Sequence, residues 1–196
     1  GLLDGQAAVN LSGSQLDNRG GLLSAAGPMI LGVTRIDNST GRIAGKTDLT
    51  ANVAQFVNQD GELVAQGTLL LTGQALDNRN AGLVGATKAL KLKVDDIDNR
   101  GGEISSAVDV TVAGQSLNNS DSGKILAGTT LGLTVAHIIN QAKGQLFSQN
   151  ATTLVGQTLD NSGGSLNSLK GLDITLDDAL LNTQGLINSE GALTVN

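Results

Sequence analysis

Apolar residues in this chain alternate with polar or small ones in short runs. Met29-x-Leu31-x-Val33, Leu90-x-Leu92-x-Val94, Leu131-x-Leu133-x-Val135 and Leu172-x-Ile174-x-Leu176 are the longest, with shorter versions at Leu69-x-Leu71, Val110-x-Val112 and Leu193-x-Val195. Successive side chains of a strand face opposite sides, so this period of two, bounded by Gly, Asn, Asp and Ser, predicts half-buried β-strands. No useful length of chain places apolar residues at i, i+3, i+4 and i+7, the pattern of an amphipathic helix. The runs are rich in Leu, a modest strand former. The period outranks that preference, because β-propensity yields readily to context.

The runs belong to a longer repeat. Leu16-Asp17-Asn18 returns as Ile36-Asp37-Asn38, Phe56-Val57-Asn58, Leu76-Asp77-Asn78, Ile97-Asp98-Asn99 and Leu117-Asn118-Asn119. It continues as Ile138-Ile139-Asn140, Leu159-Asp160-Asn161 and Leu180-Leu181-Asn182, and successive Asn residues stand 20 or 21 positions apart. A Gly follows each Asn, then an aliphatic residue (Leu23, Ile43, Leu63, Val84, Ile104, Ile125, Leu146, Leu166, Ile187), and two positions later a small one such as Ala25, Ala65 or Ser148.

Each unit therefore holds two or three short strands joined by turns. So small a unit cannot bury its own apolar face, but stacking on similar neighbours does so. The period is too short for a propeller blade, and the Leu-x-x-Leu-x-Leu framework of leucine-rich repeats is absent. The remaining architecture is an all-β parallel β-helix with one unit per coil, its equivalent residues stacked at the strand spacing of about 4.8 Å. Extra residues near Asn80-Ala81, Asp121-Ser122, Ala142-Lys143 and Asp177-Asp178-Ala179 are expected in turns, where they leave the inside–outside alternation of the strands intact. Residues 1–196 form a single repeat segment. Its first unit is truncated and neither end shows a polar cap, so the expectation is a fragment of a longer chain, cut within a coil at both ends.

Composition narrows the function. With 27 Gly, no Cys, no Trp or Tyr and two Phe, the interior is to be filled by Leu, Ile, Val and Ala, which suits a thin layered core. A net charge of −6 opposes nucleic acid, which needs a basic footprint and aromatic stacking platforms. No apolar run approaches the roughly 20 residues of a membrane span, so no membrane insertion by this segment is expected.

The segments Leu-Asp-Asn-Arg-Gly-Gly at 16–21, Ile-Asp-Asn-Arg-Gly-Gly-Glu-Ile at 97–104 and Leu-Asp-Asn-Ser-Gly-Gly at 159–164, each followed by an alternating strand, resemble the filamentous haemagglutinin repeats of two-partner-secretion exoproteins. The resemblance extends over essentially the whole chain. It implies a right-handed parallel β-helix, export through an outer-membrane two-partner-secretion transporter, and a secreted or bacterial cell-surface location. Relatives of this kind are adhesins or stalks of contact-dependent growth-inhibition toxins. The implied role is a filamentous stalk that projects a receptor-binding or toxin region towards target cells, the receptor being met by another region. The alternative is an adhesin segment that binds host glycan or receptor directly along an exposed sheet face. Val57, Ile139 and Leu181 stand where the family pattern has Asp.

The candidate site residues are the asparagines themselves: Asn18, Asn38, Asn58, Asn78, Asn99, Asn119, Asn140, Asn161 and Asn182. Stacked Asn amides can donate to the coil on one side and accept from the other, forming a structural ladder, and Asn also tolerates the left-handed backbone of a tight turn. The neighbouring Asp17, Asp37, Asp77, Asp98 and Asp160 are expected to bond nearby backbone, with Arg19, Arg79 and Arg100 pairing to them; the nine-residue calcium-binding Gly-Gly-x-Gly-x-Asp repeat is absent. His137 is the one His, expected on a surface turn, and with no Cys or second His it builds neither a zinc site nor a catalytic triad. No cofactor, metal or catalytic residue is assigned. A polysaccharide lyase or hydrolase would need non-repeating acid clusters, and Asp95, Asp96, Asp98, Asp173, Asp177 and Asp178 are better explained as turn and outward positions. Phe147 is the one evident exposed aromatic for contact with a sugar.

Overall fold

Leu63 lies between Ile43 of the preceding repeat and Val84 of the following one, and every other column of the repeat is stacked in the same way. The computed structural model describes residues 1–196 as an all-β solenoid of parallel strands, about ten turns of about 20 residues each. A short strand such as Leu22–Ala25 is followed by a tight turn and a long strand such as Met29–Asp37, which ends one residue before the Asn. Short strands join only short strands, in a ten-stranded sheet from Leu2–Gly5 to Leu186–Ser189. Long strands make a second sheet of eleven, from Val9–Asp17 to Ala192–Val195. Each coil thus satisfies its backbone groups on the coils above and below it.

The long strand turns a corner. In Leu90–Asp98 the buried positions alternate through Leu90, Leu92 and Val94, then Asp95 and Asp96 both face solvent before Ile97 returns to the core. Two consecutive outward residues break the period of two, so one strand contributes two sides of a three-sided coil. In the third repeat the break separates Leu49–Asn52 from Gln55–Val57. Three coils carry Gly at this corner directly after a coil that carries Val. A Cβ added at Gly73, Gly114 or Gly156 would lie 2.0, 2.0 or 2.2 Å from the carbonyl oxygen of Val53, Val94 or Val135 in the preceding coil, which explains why those three positions lack a side chain.

The core is one continuous cluster of aliphatic residues running the length of the solenoid, with Phe56 its single aromatic, packed between Ile36 and Leu76. Phe147 sits on the outer side of a short strand and is half-buried rather than exposed. The extra residues at Asn80-Ala81, Asp121-Ser122 and Ala142-Lys143 lie in turns, each pair in the left-handed region, where the shorter coils use one such residue. The insertion at Asp177-Asp178 differs from the turn expected for it. It lies inside the strand Gly171–Leu181 as a bulge, since Gly156 pairs with Leu176 but Thr158 with Ala179. The corner absorbs the extra residue because its side chains already face solvent.

Candidate functional site: the asparagine ladder and the turn edge

The Asn-marked turns stack into one edge of the solenoid. Nδ2 of Asn18 donates to Oδ1 of Asn38 at 2.7 Å, and the same bond at the same length joins Asn38 to Asn58, Asn58 to Asn78, Asn78 to Asn99 and Asn99 to Asn119. It continues from Asn119 to Asn140, Asn161 and Asn182. All the donors point towards the C-terminal end. Each donating Nδ2, from Asn18 to Asn161, also reaches two backbone carbonyls: that of Asn58 lies 3.2 Å from Gly61 O in its own turn and 3.0 Å from Leu83 O in the next coil. An amide carries two N–H hydrogens, so one serves the next Asn and the other is shared between the carbonyls.

Seven of these residues, Asn38 through Asn161, are fully buried; Asn18 is half-buried and Asn182 exposed. No buried side-chain nitrogen or oxygen in the molecule lacks a partner. The Asn backbone is not left-handed, contrary to the expectation that tolerance of that conformation selects it. The left-handed residue stands two positions later, at Gly20, Thr40, Asp60, Asn80, Gly101, Asp121, Ala142, Gly163 and Gln184. What selects Asn is its amide.

The Gly that follows is required by the same packing. At Gly102 a Cβ would lie 2.0 Å from Asn78 O and 2.8 Å from Asn99 Oδ1, so a side chain there would displace the turn from the coil beneath it.

Outside the ladder runs the acidic column. Oδ1 of Asp17, Asp37, Asp77, Asp98 and Asp160 accepts the backbone N–H two residues on, at 3.0 to 3.3 Å, and Asn118 does the same for Ser120. Arg19, Arg79 and Arg100 fold back onto Asp17, Asp77 and Asp98, and Arg79 also reaches Asp98 of the next coil at 3.6 Å. Gln59 and Gln141 donate to Asp77 and Asp160 of the coils that follow them, each at 2.6 Å. The side-chain hydrogen bonds from Arg19 hold the Asp17 carboxyl at a pKa of about 2. Burial pushes Asp77 upward, but hydrogen bonds from Arg79 and Gln59 outweigh it and leave that carboxyl below its ordinary range. Asp109 is lowered by the hydroxyls of Thr129 and Thr130. These acids are engaged with backbone and neighbouring side chains, and no group of three or more His, Asp or Glu is placed to hold a metal ion.

His137 lies in the strand Leu131–Ile139 rather than on a turn, with Nδ1 3.0 Å from Thr158 Oγ1. One internal polar cluster carries only a faint sequence signal. Thr152 replaces the aliphatic residue of a core column between Leu131 and Leu172, and its hydroxyl lies 2.8 Å from Ser148 Oγ, which in turn lies 3.1 Å from Ser168 Oγ. All three are buried. The signal is that lone Thr, but its partners sit in the small-residue column, where Ser and Ala are interchangeable by size.

The recurring polar site is thus internal to the wall, and the geometry defines a structural parallel β-solenoid of repeated coils. A family model described as the haemagglutinin repeat matches residues 2–73, 73–135 and 119–196, and the chain belongs to that family. No curated protein and no solved structure matches it. Membership places the chain among filamentous, adhesin-type segments of secreted or cell-surface proteins, in the general context of two-partner secretion. No helix is long and apolar enough to cross a membrane.

Proposed function

We propose that this chain is a shaft segment of a secreted bacterial exoprotein, exported through an outer-membrane two-partner-secretion transporter, whose task is to hold a receptor-binding or toxin region away from the cell that displays it. The observation that carries the reading is the unbroken Asn ladder. It gives all nine Asn-marked turns one internal bonding scheme, so that coils are interchangeable units and their number sets reach, about 4.8 Å for each. The acids of the repeated turn bond backbone and neighbouring side chains, and the buried hydroxyls of Ser148, Thr152 and Ser168 bond one another or nearby backbone, which supports a structural role over a catalytic one.

The test is deletion of one coil, Ile36 to Gln55, in the whole exoprotein. Arg35 pairs with Gln55 and Ile36 with Phe56, so joining Arg35 to Phe56 keeps every column in phase. A shaft shortened by one strand spacing should be exported and should retain target-cell activity nearly unchanged. Removing half a unit, Ile36 to Gly45, should abolish folding. A folded, exported whole-coil deletion that no longer binds target cells would replace the shaft reading with direct contact by the deleted coil.

A further inference from the structure

The outer side of the short-strand sheet packs against nothing else in the chain. Along its middle column the outward residues are Ala44, Val64, Gly85, Ser105, Leu126 and Phe147, each stacked on the one before and all half-buried. This column floors a shallow groove that runs along the shaft. Beside it runs a second column: Arg42, Glu62, Leu83, Glu103, Lys124 and Gln145. Neither column repeats from coil to coil. The two bulkiest floor residues, Leu126 and Phe147, lie together at one end, and the charge changes sign between Arg42 and Glu62 and again between Glu103 and Lys124.

We propose that this face pairs with the same face of a second copy of the chain, the two shafts lying side by side and antiparallel. The two-fold axis runs along the strand direction, between Gly85 and Ser105. It keeps each column opposite its own counterpart and reverses the order of the coils. Phe147 then lies over Ala44 of the second copy and Leu126 over Val64, so the largest side chain meets one of the smallest and the aliphatic ones meet each other. Ser105 meets Gly85. In the second column Lys124 meets Glu62 of the second copy, and the symmetry makes that ion pair twice. Gln145 meets Arg42, a neutral partner for a guanidinium already bonded to Glu62 of its own copy. Glu103, opposite Leu83, keeps its 2.8 Å hydrogen bond from Ser105 Oγ. The pairing goes beyond the shaft role and does not depend on it.

Other arrangements lose this match. Sliding the second copy by one coil sets Arg42 against Lys124 and Glu62 against Glu103 in one direction, and Glu103 against its own counterpart in the other. A parallel pair sets Phe147 against Phe147, Leu126 against Leu126 and Arg42 against Lys46. Like charges then face each other, and bulky residues stacked on themselves hold the small ones apart. The six short strands span about 30 Å by 13 Å at ordinary strand dimensions, on the order of 400 Å² of footprint per copy. That is about half a standard interface, so the dimer is weak, with a Kd of about 10 μM or higher.

Sedimentation equilibrium of the purified chain, from micromolar to millimolar concentration, measures the dimer, and small-angle scattering gives its length. A reversible dimer no longer than the monomer is expected. Glu62→Lys and Lys124→Glu should each weaken it roughly tenfold or more, and the two together should restore it to within about threefold of the parent. Both side chains reach solvent, so these variants should melt like the parent. Leu126→Asp should abolish the dimer, whereas Thr134→Asp, which adds the same charge to the outer side of the other sheet, should leave it unchanged. The proposal is overturned if the chain stays monomeric at millimolar concentration, if the dimer is twice as long as the monomer, as in end-to-end stacking, or if the double substitution fails to restore it. Rescue of Lys124→Glu by Glu103→Lys instead of Glu62→Lys would also overturn it, because that pair meets only when the second copy slides by two coils.

Discussion

Asn99 and Asn119, 20 residues apart in sequence, are joined by a 2.7 Å bond from one side-chain amide to the other, and both are fully buried. Asn99 also accepts from Asn78 on its other side. Replacing it with Ala leaves the Nδ2 hydrogen of Asn78 and the carbonyl of Lys124 without their side-chain partner. Leaving buried groups unsatisfied should cost about 1–3 kcal/mol. Asn182 is exposed and is bonded to the ladder only through Asn161, so Asn182→Ala should cost less. Chemical denaturation of both variants checks this. Midpoints equal to the parent's in both cases would mean that the ladder adds nothing to stability.

The strand register makes a second expectation. Leu133 is buried between Val112 and Leu154, while Thr134 beside it is exposed. Leu133→Asp places an uncompensated charge in the aliphatic column and should abolish the cooperative fold, whereas Thr134→Asp should be mild. Circular dichroism melting curves of the two variants read the difference directly.

The turn glycines make a third. Gly102→Ala puts a methyl group against the Asn78 carbonyl and the Asn99 amide, and should destabilise by about 1–3 kcal/mol as an overpacked site. Gly32→Ala, where the nearest atom is a carbonyl oxygen 3.9 Å away, should be nearly silent. A silent Gly102→Ala would show that the turn moves away from its neighbour at little cost.

Acid sensitivity follows from the turn carboxylates. The pKa values of Asp17, Asp77, Asp109 and Asp160 are lowered in the folded chain, so their contribution is fully present above the unfolded value near 4 and is lost as pH falls through the folded values, about 2 for Asp17. The unfolded chain takes up protons first. Melting temperature should therefore vary little through these groups from pH 7 to about 4.5 and fall between about pH 4 and 2. Asp77→Asn should reduce that slope. A melting temperature independent of pH across this window would mean that these contacts exist equally in the unfolded chain.

The repeat period, the inward columns and the three turn insertions at Asn80-Ala81, Asp121-Ser122 and Ala142-Lys143 were determined by the sequence alone. Coils that stack in register must present equivalent residues to one another, so every structural demand is written once per repeat and becomes visible by alignment. The nine Asn positions were legible for that reason. The direction of their amide bonds, the third acceptor in the neighbouring coil and the left-handed residue two positions later were not, because they depend on where a coil about 20 residues away places its carbonyls. The same limit hid the corner at Val94–Asp95, where Gly73, Gly114 and Gly156 are required by the backbone of the preceding coil, and the bulge at Asp177-Asp178, which reads as a turn residue from composition. A shallow groove along the outer side of the short strands lies still further from the sequence. Ala44, Gly85 and Phe147 are unremarkable one at a time, and only stacking at a fixed spacing lines them up as the floor of one channel.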